Sequence, residues 1–561
     1  MLDCVAMRRI PVRLWAMAVL SGLLQILPFP IAGPVPVWRT AVCWIALTPL
    51  LKALIGNDAS GAPVGALQGG MLGYASGIVW YLGNCYWIYG TMHLYGGIAK
   101  PAAAGILLLF CLYLGLYHAL FGALVVAFRR GGRLGAQGAL ALSPLAWVAV
   151  ELARARITGL PWDVLGVAQV DNPLLTRLAP FTGAYGLSFV VAAVNALWLM
   201  RLSLKERKYT RTAMTVGGVC IILLYAGFLR SLRGRGREST TAVATLVQEN
   251  LEVGAENTGP RLSEEDRFAA YRDLSLYPRM DYCAGIPELS STPCMRVVPL
   301  GEEGPNALRA PARTDLVVWP EAPNDFYESE PQFRSAMSQV ARAADAPVIV
   351  GDIGVDADQG AKRGYDLYNS AEFVAPDGSF AGRYDKMHLV PFGEYVPYKQ
   401  LFFFAGKLLE DVGEFDPGKN RRVFVTGGHG YGTFICYESI FGDEVRHLAG
   451  MGADVLVNIS DDGWYGDTSA AWEHLNMVRM RAIENHRWVL RATNTGVTAA
   501  IDPEGRVTMA ARRHVRTSIR VGFNYENDVT FYARHGDWFA YLCAVATAVG
   551  VGLGLWRKTV G

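Results

Sequence analysis

Long apolar stretches limit what this 561-residue chain can fold into. A helix that crosses a bilayer needs roughly 20 consecutive apolar residues. We expect such helices at eight places, namely residues 12–32, 37–56, 65–90, 102–128, 136–153, 182–202, 213–230 and 538–556. Three arginines precede or open the first stretch, as in a signal peptide. Because further apolar stretches follow it, we interpret it as an uncleaved membrane helix.

The part of the chain between the seventh and eighth stretches has an ordinary polar composition. We therefore predict an N-terminal membrane bundle over residues 1–231, a soluble domain over 232–536 and a C-terminal membrane helix over 537–561. Charged residues make up only 18% of the whole chain, against about 25% in typical soluble domains. Lys and Arg nearly balance Asp and Glu, so the overall charge gives no sign of a nucleic-acid-binding protein.

Lysine and arginine are enriched on the cytoplasmic side of membrane helices, which predicts the orientation. Arg8 and Arg9 place the N-terminus inside, and basic clusters after the fourth, sixth and last stretches agree with this. The cluster at Arg154 and Arg156 and the run at 230–237 disagree. We follow the majority, which puts residues 232–536 on the outer face of the membrane.

The soluble segment alternates short β-branched runs with helical patterns. Apolar runs such as DLVVWP, APVIVGD, YGTFIC and ADVLVNIS are separated by stretches such as PQFRSAMSQVARAA, and this alternation predicts an α/β sheet architecture. Residues 284–313 are rich in Pro, Gly, Ser and Arg and indicate a surface insertion. Of nine cysteines, only Cys283 and Cys294 are spaced like a disulfide in this segment, and that signal is weak.

Three chemically active residues stand at or near predicted strand ends, where open α/β folds place their sites. They are Glu321, Lys386 and Cys436. Taken singly, each has a simpler interpretation: a helix-terminal acid, a solvated lysine and a buried structural cysteine. Together they suit acyl transfer, in which a thiol attacks a carbonyl, a carboxylate takes its proton and an ammonium stabilises the oxyanion. No HxxxH or CxxC spacing suggests a metal site, and we expect no cofactor.

Several motifs point together to one family. They are TGLPW (158–162), WPE (319–321), RYDKMHLVPFGEYVP (383–397), ICYESIFG (435–442), WEHLNMVRMRAIEN (472–485) and YARHGDW (532–538). In this combination the chain resembles the nitrilase superfamily, and in particular the bacterial apolipoprotein N-acyltransferases. The resemblance covers nearly the whole chain. It implies an αββα sandwich carried on a bundle of eight membrane spans.

The resemblance also implies roles for named residues. The catalytic triad falls on Glu321, Lys386 and Cys436. Glu394 would orient Lys386, and Glu438 would hold a neighbouring lysine or main-chain group. Further supporting positions implied by the resemblance are Tyr437 and Trp464.

The implied reaction runs through a thioester. Cys436 would take an acyl chain from a membrane phospholipid and pass it to the α-amine of a lipoprotein's diacylglyceryl-cysteine, with ping-pong kinetics. The implied location is the bacterial inner membrane, with the catalytic domain on the periplasmic side. The alternative enzyme is a membrane-tethered nitrilase-type amidase. A transporter is disfavoured by the few charges in the spans, and an inactive paralogue by the intact triad.

Some segments depart from the family or remain open. No tryptophan stands near Asn257, where the family often has one, and SDDGWYG (460–466) replaces the family's SNDAWFG. The insertion at 284–313 is unusual. The segment KQLFFFAGKLLEDVG (399–413) contains Phe402 and Phe403 and has two interpretations. It is either a packed part of the core or a lid over the site that faces the lipid, with its flanking lysines directed towards the lipid head groups.

Overall fold

The computed structural model describes most of the chain, and its residues form two compact units. The described residues are 9–131, 135–203, 218, 239–251, 264–278, 280–284, 294–297, 313–321, 326–358, 364–395 and 414–560. One unit comprises residues 1–90, 99–236 and 537–561, and the other comprises residues 91–98 and 237–536. The predicted span at 213–230, the position of Asn257 and the segment with Phe402 and Phe403 lie outside the described residues, apart from residue 218.

The first unit is helical. Its described α-helices are Val12–Ile26, Val37–Thr40, Cys43–Ala46, Thr48–Leu54, Ala66–Asn84, Trp87–Gly90, Lys100–Gly131, Gly135–Ala153, Ala179–Thr182, Ala184–Ser203 and Trp538–Val560. Among the described residues, three helical segments are long and apolar enough to cross a membrane: Lys100–Arg129, Gly135–Thr158 and Ala184–Arg201. Shorter apolar helices are Val12–Ile26 and Trp538–Leu553. A helical membrane unit is therefore present.

The second predicted span, 37–56, is interrupted rather than continuous. It consists of three short helices, and the buried side chain of Asn195 lies at the break. The Asn195 amide oxygen accepts hydrogen bonds from the backbone N–H groups of Leu47 and Thr48, at 2.9 and 3.1 Å, and its nitrogen donates to the carbonyl of Cys43 at 2.8 Å. An inserted polar side chain thus satisfies backbone groups that the broken helix leaves free, as an apolar environment requires.

The second unit contains two β-sheets. In chain order its strands are β1 Ala242–Gln248, β2 Met280–Ala284, β3 Met295–Val297, β4 Leu316–Val318, β5 Val348–Ala357, β6 Tyr365–Val374, β7 Phe380–Asp385, β8 Val423–Thr426, β9 His429–Ile435, β10 Val455–Ser460, β11 Val489–Thr493, β12 Ala499–Ile501, β13 Val507–Ala511 and β14 Thr517–Phe523. The six-stranded sheet has the order β14-β1-β4-β5-β6-β7. The eight-stranded sheet has the order β3-β2-β13-β12-β11-β10-β9-β8.

The two sheets share a buried apolar core, to which β4, β5 and β6 of one sheet and β9, β10 and β11 of the other contribute. Helices Glu264–Leu276 and Pro331–Ala344 pack on the outer face of the six-stranded sheet, and Gly442–Gly450 and Ala470–Asn485 on that of the eight-stranded sheet. A short helix, Phe531–His535, closes the unit. The predicted α/β sandwich is confirmed, and burial on both faces explains why central strands such as β4 and β10 are mostly apolar.

A disulfide joins Cys283, in β2, to Cys294, which directly precedes β3. The weak sequence signal for this pair is confirmed. The bond joins β2, which ends where the insertion at 284–313 begins, to a position inside that insertion; most of the insertion lies outside the described residues.

Candidate active site

Lys386 lies at the centre of the site, one residue after the end of β7. Its side chain is only 1% exposed. The Nζ ammonium donates to Glu321 Oε1 at 3.0 Å and to Glu394 Oε1 at 2.8 Å. Burial alone would lower the pKa of Lys386, but the two carboxylates outweigh it and raise that pKa well above its ordinary value. The lysine is therefore a fixed positive charge.

Glu321 follows β4 and is held at both carboxylate oxygens. Oε1 accepts from Lys386 and from the Asn369 amide at 2.7 Å, while Oε2 accepts from the backbone N–H of Asp461 at 2.8 Å. This second contact ties the end of β4 to the loop that follows β10 in the other sheet. The carboxylate is thus fixed in position between the two sheets.

Glu394, which the sequence analysis expected to orient Lys386, accepts from the Lys386 ammonium. Its Oε2 accepts from the backbone N–H of Val390 at 2.7 Å, and its Oε1 also accepts from the Asn369 amide at 2.7 Å. Sequence reasoning missed Asn369, which bridges the carboxylates of Glu321 and Glu394. The available signal was a polar residue in the middle of the buried strand β6.

Cys436 follows β9 and begins a short 3₁₀ turn, Cys436–Ile440. Its backbone has φ = +45°, an uncommon conformation for a residue other than glycine and one that clusters at functional sites. Burial and the nearby carboxylate of Glu321 raise the pKa of the thiol well above its ordinary value, although Lys386 acts in the opposite direction. The resting thiol therefore keeps its proton and needs a base.

Glu438 anchors the nucleophile turn to the lysine loop. Its Oε1 accepts from Tyr384 Oη at 2.8 Å and from the backbone N–H groups of Met387 and His388 at 2.7 and 3.2 Å. Its Oε2 accepts from the backbone N–H of Ile435 at 2.8 Å. Of the two partners expected from the sequence, Glu438 therefore holds main-chain groups and not a lysine. The neighbouring Tyr437 is buried, with its ring edge-on to that of Phe441.

A buried charged network that the sequence analysis missed lies behind Cys436. His474 Nε2 donates to the carbonyl oxygen of Cys436 at 3.0 Å, and its Nδ1 lies 2.8 Å from Asp462 Oδ1. Arg491 donates to Asp462 Oδ2 at 2.6 Å, and Ser460 donates to Oδ1 at 2.9 Å. The pKa of Asp462 is lowered because Arg491 and His474 outweigh the cost of its burial. The network holds the backbone of Cys436.

Trp464 lies in the 3₁₀ turn Asp462–Tyr465 and contacts a segment distant in sequence. Thr91 Oγ1 donates to its carbonyl oxygen at 3.0 Å, and the Tyr95 ring lies edge-on to the indole at 6.1 Å between centroids. The stretch 91–98, which interrupts the helical unit in sequence, thus belongs to the sandwich unit. The sequence predicted Trp464 as a supporting residue but not this partner.

The arrangement combines a buried thiol, a buried carboxylate and a buried ammonium. It suits covalent acyl transfer, in which the thiol attacks a carbonyl and the ammonium stabilises the negative charge that forms. Two groups of carboxylates or histidines among the described residues are close enough to bind a metal ion, and neither contains Glu321 or Cys436.

The fold of the second unit is that of the carbon–nitrogen hydrolase class. The carbon–nitrogen hydrolase family model matches residues 278–520, and the model of the apolipoprotein N-acyltransferase N-terminal domain matches residues 21–197. The apolipoprotein N-acyltransferase of Geobacter metallireducens is 33% identical over 98% of this chain and 97% of its own length. The chain therefore belongs to the apolipoprotein N-acyltransferase family and is an acyltransferase.

More distant similarities extend to other relatives and to solved structures. The apolipoprotein N-acyltransferase of Methylococcus capsulatus is 29% identical over 94% of each chain. Among solved structures, an amidase from a Nesterenkonia species is 16% identical, with a TM-score of 0.34, over 54% of this chain and 96% of that one.

Proposed function

We propose that this enzyme moves an acyl chain from a membrane phospholipid to the α-amine of the diacylglyceryl-cysteine at a lipoprotein's N-terminus. Cys436 would be the nucleophile, Glu321 the general base and Lys386 the oxyanion donor. The observation that carries the proposal is the buried ion cluster in which the Lys386 ammonium binds both Glu321 and Glu394, at 3.0 and 2.8 Å. It lies in a chain whose family is defined by acyl transfer.

The first half-reaction forms a thioester. Glu321 takes the thiol proton of Cys436, and the sulfur attacks the ester carbonyl of the phospholipid. Lys386 stabilises the oxyanion, and collapse of the tetrahedral intermediate breaks the ester C–O bond. The leaving alkoxide takes the proton from Glu321 and departs as a lysophospholipid. The raised pKa of Cys436 supports this role, because a neutral thiol needs a base at hand.

The second half-reaction returns the enzyme to its resting state. The lipoprotein amine attacks the thioester carbonyl, Glu321 takes an amine proton, and the C–S bond breaks as the amide forms. Cys436 then regains its proton from Glu321. Because the acyl chain rests on the enzyme between two substrates, the kinetics are ping-pong.

The proposed setting is the bacterial inner membrane, with eight spans and the sandwich on the periplasmic side. Three long apolar helical segments support a membrane location. The Cys283–Cys294 disulfide supports the orientation, because disulfides persist in oxidising compartments such as the periplasm and are rare in the cytosol. The basic residues beside the predicted spans favour the same arrangement.

Intact-mass spectrometry tests the proposal directly. The full chain in detergent, incubated with phospholipid, is expected to gain the mass of one acyl group and to lose it when a diacylated lipopeptide is added. The variant Cys436→Ser should gain none, because a hydroxyl is a far weaker nucleophile, whereas Cys543→Ser, in the C-terminal helix, should behave as wild type. Acylation of Cys436→Ser would refute the assignment. Hydrolysis of small amides without lipid transfer would favour the amidase.

A further inference from the structure

A second group of acidic side chains lies in the same sheet as Lys386 but away from the site. It consists of Glu328, Asp352 in β5 and Glu372 in β6, and we refer to it as the acidic triad. One carboxylate oxygen from each residue lies within 4.8 Å of the others. Side chains two residues apart on a strand lie on the same face of the sheet. Val350 and Val374 pack in the core beneath helix Pro331–Ala344, so Asp352 and Glu372, two residues from them, lie on that face as well.

Asp352 makes the acidic triad unusual. Its side chain is 0% exposed, and neither of its carboxylate oxygens has a hydrogen-bond partner among the described residues. Glu372 is buried beside it, and Glu328 is partly buried. A carboxylate placed in this way is costly unless it is neutralised or coordinates a metal ion. The unpartnered oxygens of Asp352 therefore point to a positively charged ligand.

Nearby arginines do not balance the acidic triad. Arg383 contacts Glu328 at 2.8 Å, but it also pairs with Asp385 at 2.7 Å and with Asp356 at 2.9 Å. The other charged groups that act on Asp352 are Asp385 and Arg334. Counting the acidic triad with Asp356 and Asp385, five carboxyl groups face the two guanidinium groups of Arg383 and Arg334.

We propose that Glu328, Asp352 and Glu372 bind one Ca²⁺ ion. Calcium–oxygen distances are about 2.3–2.6 Å, so ligand oxygens up to roughly 4.8 Å apart fit around one ion. The two positive charges of that ion would offset carboxylates that Arg383 and Arg334 do not balance. Mg²⁺ fits less well, because it needs shorter bonds of about 2.0–2.1 Å and retains several waters, for which two buried ligands leave little room.

Such an ion would stabilise the part of the sheet that supports the active site. β6 carries Asn369 on one face and Glu372 on the other, and β7 ends immediately before Lys386. The ion would thus join β5 to β6 on the side opposite the catalytic ammonium. The alternative occupant is the proton: burial and the neighbouring Asp352 raise the pKa of Glu372 to about 10.

Calcium binding by the purified full chain in detergent separates the two occupants. We expect equilibrium dialysis with radioactive calcium to find one ion per chain. We also expect about 1 mM Ca²⁺, a concentration at which extracellular modules bind it, to raise the melting temperature by several degrees relative to EDTA. The same concentration of Mg²⁺ should give a much smaller shift. Absence of bound calcium, or an equal effect of Mg²⁺, would overturn the proposal.

Matched variants locate the ion. Asp352→Asn and Glu372→Gln keep side-chain shape and remove charge, so in EDTA they should melt at or above wild type while binding Ca²⁺ at least tenfold more weakly. Asp356→Asn is the control, because Asp356 also contacts Arg383 but is 56% exposed and lies outside the acidic triad. Unchanged calcium affinity in both triad variants would refute the site. If either variant fails to fold, calcium binding by the wild-type chain still decides the question.

Discussion

The site around Lys386 and the acidic triad contain similar side chains in opposite electrostatic states. In the first, one buried ammonium binds Glu321 and Glu394, and Asn369 donates to the same two carboxylate oxygens. The other oxygen of each carboxylate accepts from a backbone N–H, that of Asp461 for Glu321 and that of Val390 for Glu394. In the second, Asp352 is buried without a partner among the described residues. Strands β5, β6 and β7 contribute to one or both. The same sheet therefore borders one cluster whose carboxylates share a built-in ammonium and one in which Arg383 pairs with Glu328 while Asp352 has no hydrogen-bond partner among the described residues.

The difference shows how a buried carboxylate acquires a function. A carboxylate that shares a fixed ammonium is held in position, as a general base must be. A carboxylate without one must take up a proton or a metal ion. The two clusters should therefore respond in opposite ways when charge is removed: the first should lose stability and activity, and the second should tolerate the change.

Removing the built-in cation should have the largest effect. Lys386→Met leaves Glu321 and Glu394 buried without their common partner, and breaking a buried ion pair costs about 3–5 kcal/mol. Thioester formation should fall by at least about 100-fold with loss of the oxyanion donor. Thermal unfolding and intact-mass kinetics measure the two effects. Lys419→Met, at an exposed position, is the control and should change neither. A stable and active Lys386→Met would contradict the comparison.

The two carboxylates on Lys386 should differ from each other. Glu321→Gln removes the only group proposed to carry the thiol proton, and loss of a general base costs about 10²–10⁴ in rate. Glu394→Gln should slow the thioester step less. Its amide can still accept from Lys386, but its NH₂ group would then meet the N–H of Val390, which now donates to Glu394 Oε2. Rapid-quench measurement of acyl-enzyme formation compares them. A larger loss in Glu394→Gln would reverse the assigned roles.

Sequence reasoning succeeded where function is concentrated in short motifs. Glu321, Lys386 and Cys436 were predicted at or near strand ends, and Glu394 in the motif FGEYVP. The structure brings Glu321, Lys386 and Glu394 into direct contact. Their catalytic roles remain predictions. The sandwich itself followed from alternating strands and helices, because that pattern allows few architectures.

The contacts that sequence reasoning missed form between segments far apart in the chain. They depend on how strands pair and how helices pack, which a single sequence does not give. Asp352 was expected at the end of a strand, yet β5 continues to Ala357 and pairs in register with the whole of β6. Only that pairing brings Asp352 close to Glu372. In the helical unit, the break in the second predicted span depends likewise on Asn195, which comes from a helix far along the chain.

The smallest expected effect concerns Asp461, a third carboxylate beside the Lys386 cluster. Its backbone N–H donates to Glu321, and its side chain accepts from the backbone N–H of Gly463 at 2.8 Å and from Asn494 at 3.1 Å. Burial raises the pKa of Asp461 from 3.8 to about 7, helped by the charge of Glu321. The positive charge of Lys386 therefore does not offset the cost of ionising the neighbouring carboxyl group of Asp461.

Asp461→Asn should therefore stabilise the enzyme in a pH-dependent way. Between about pH 4 and pH 7 the folded chain keeps a proton that the unfolded chain has released, so the wild type loses stability as the pH rises through this range. The asparagine side chain of the variant cannot ionise and avoids that loss. The variant should gain a few degrees in melting temperature at pH 8, where about 1 kcal/mol corresponds to roughly 2–4 °C, and less at pH 5. Asp467→Asn, 73% exposed in the same loop, should show no such trend. If the difference in melting temperature between Asp461→Asn and wild type does not change with pH, Asp461 is ionised over the whole range. The Lys386 cluster would then compensate its charge.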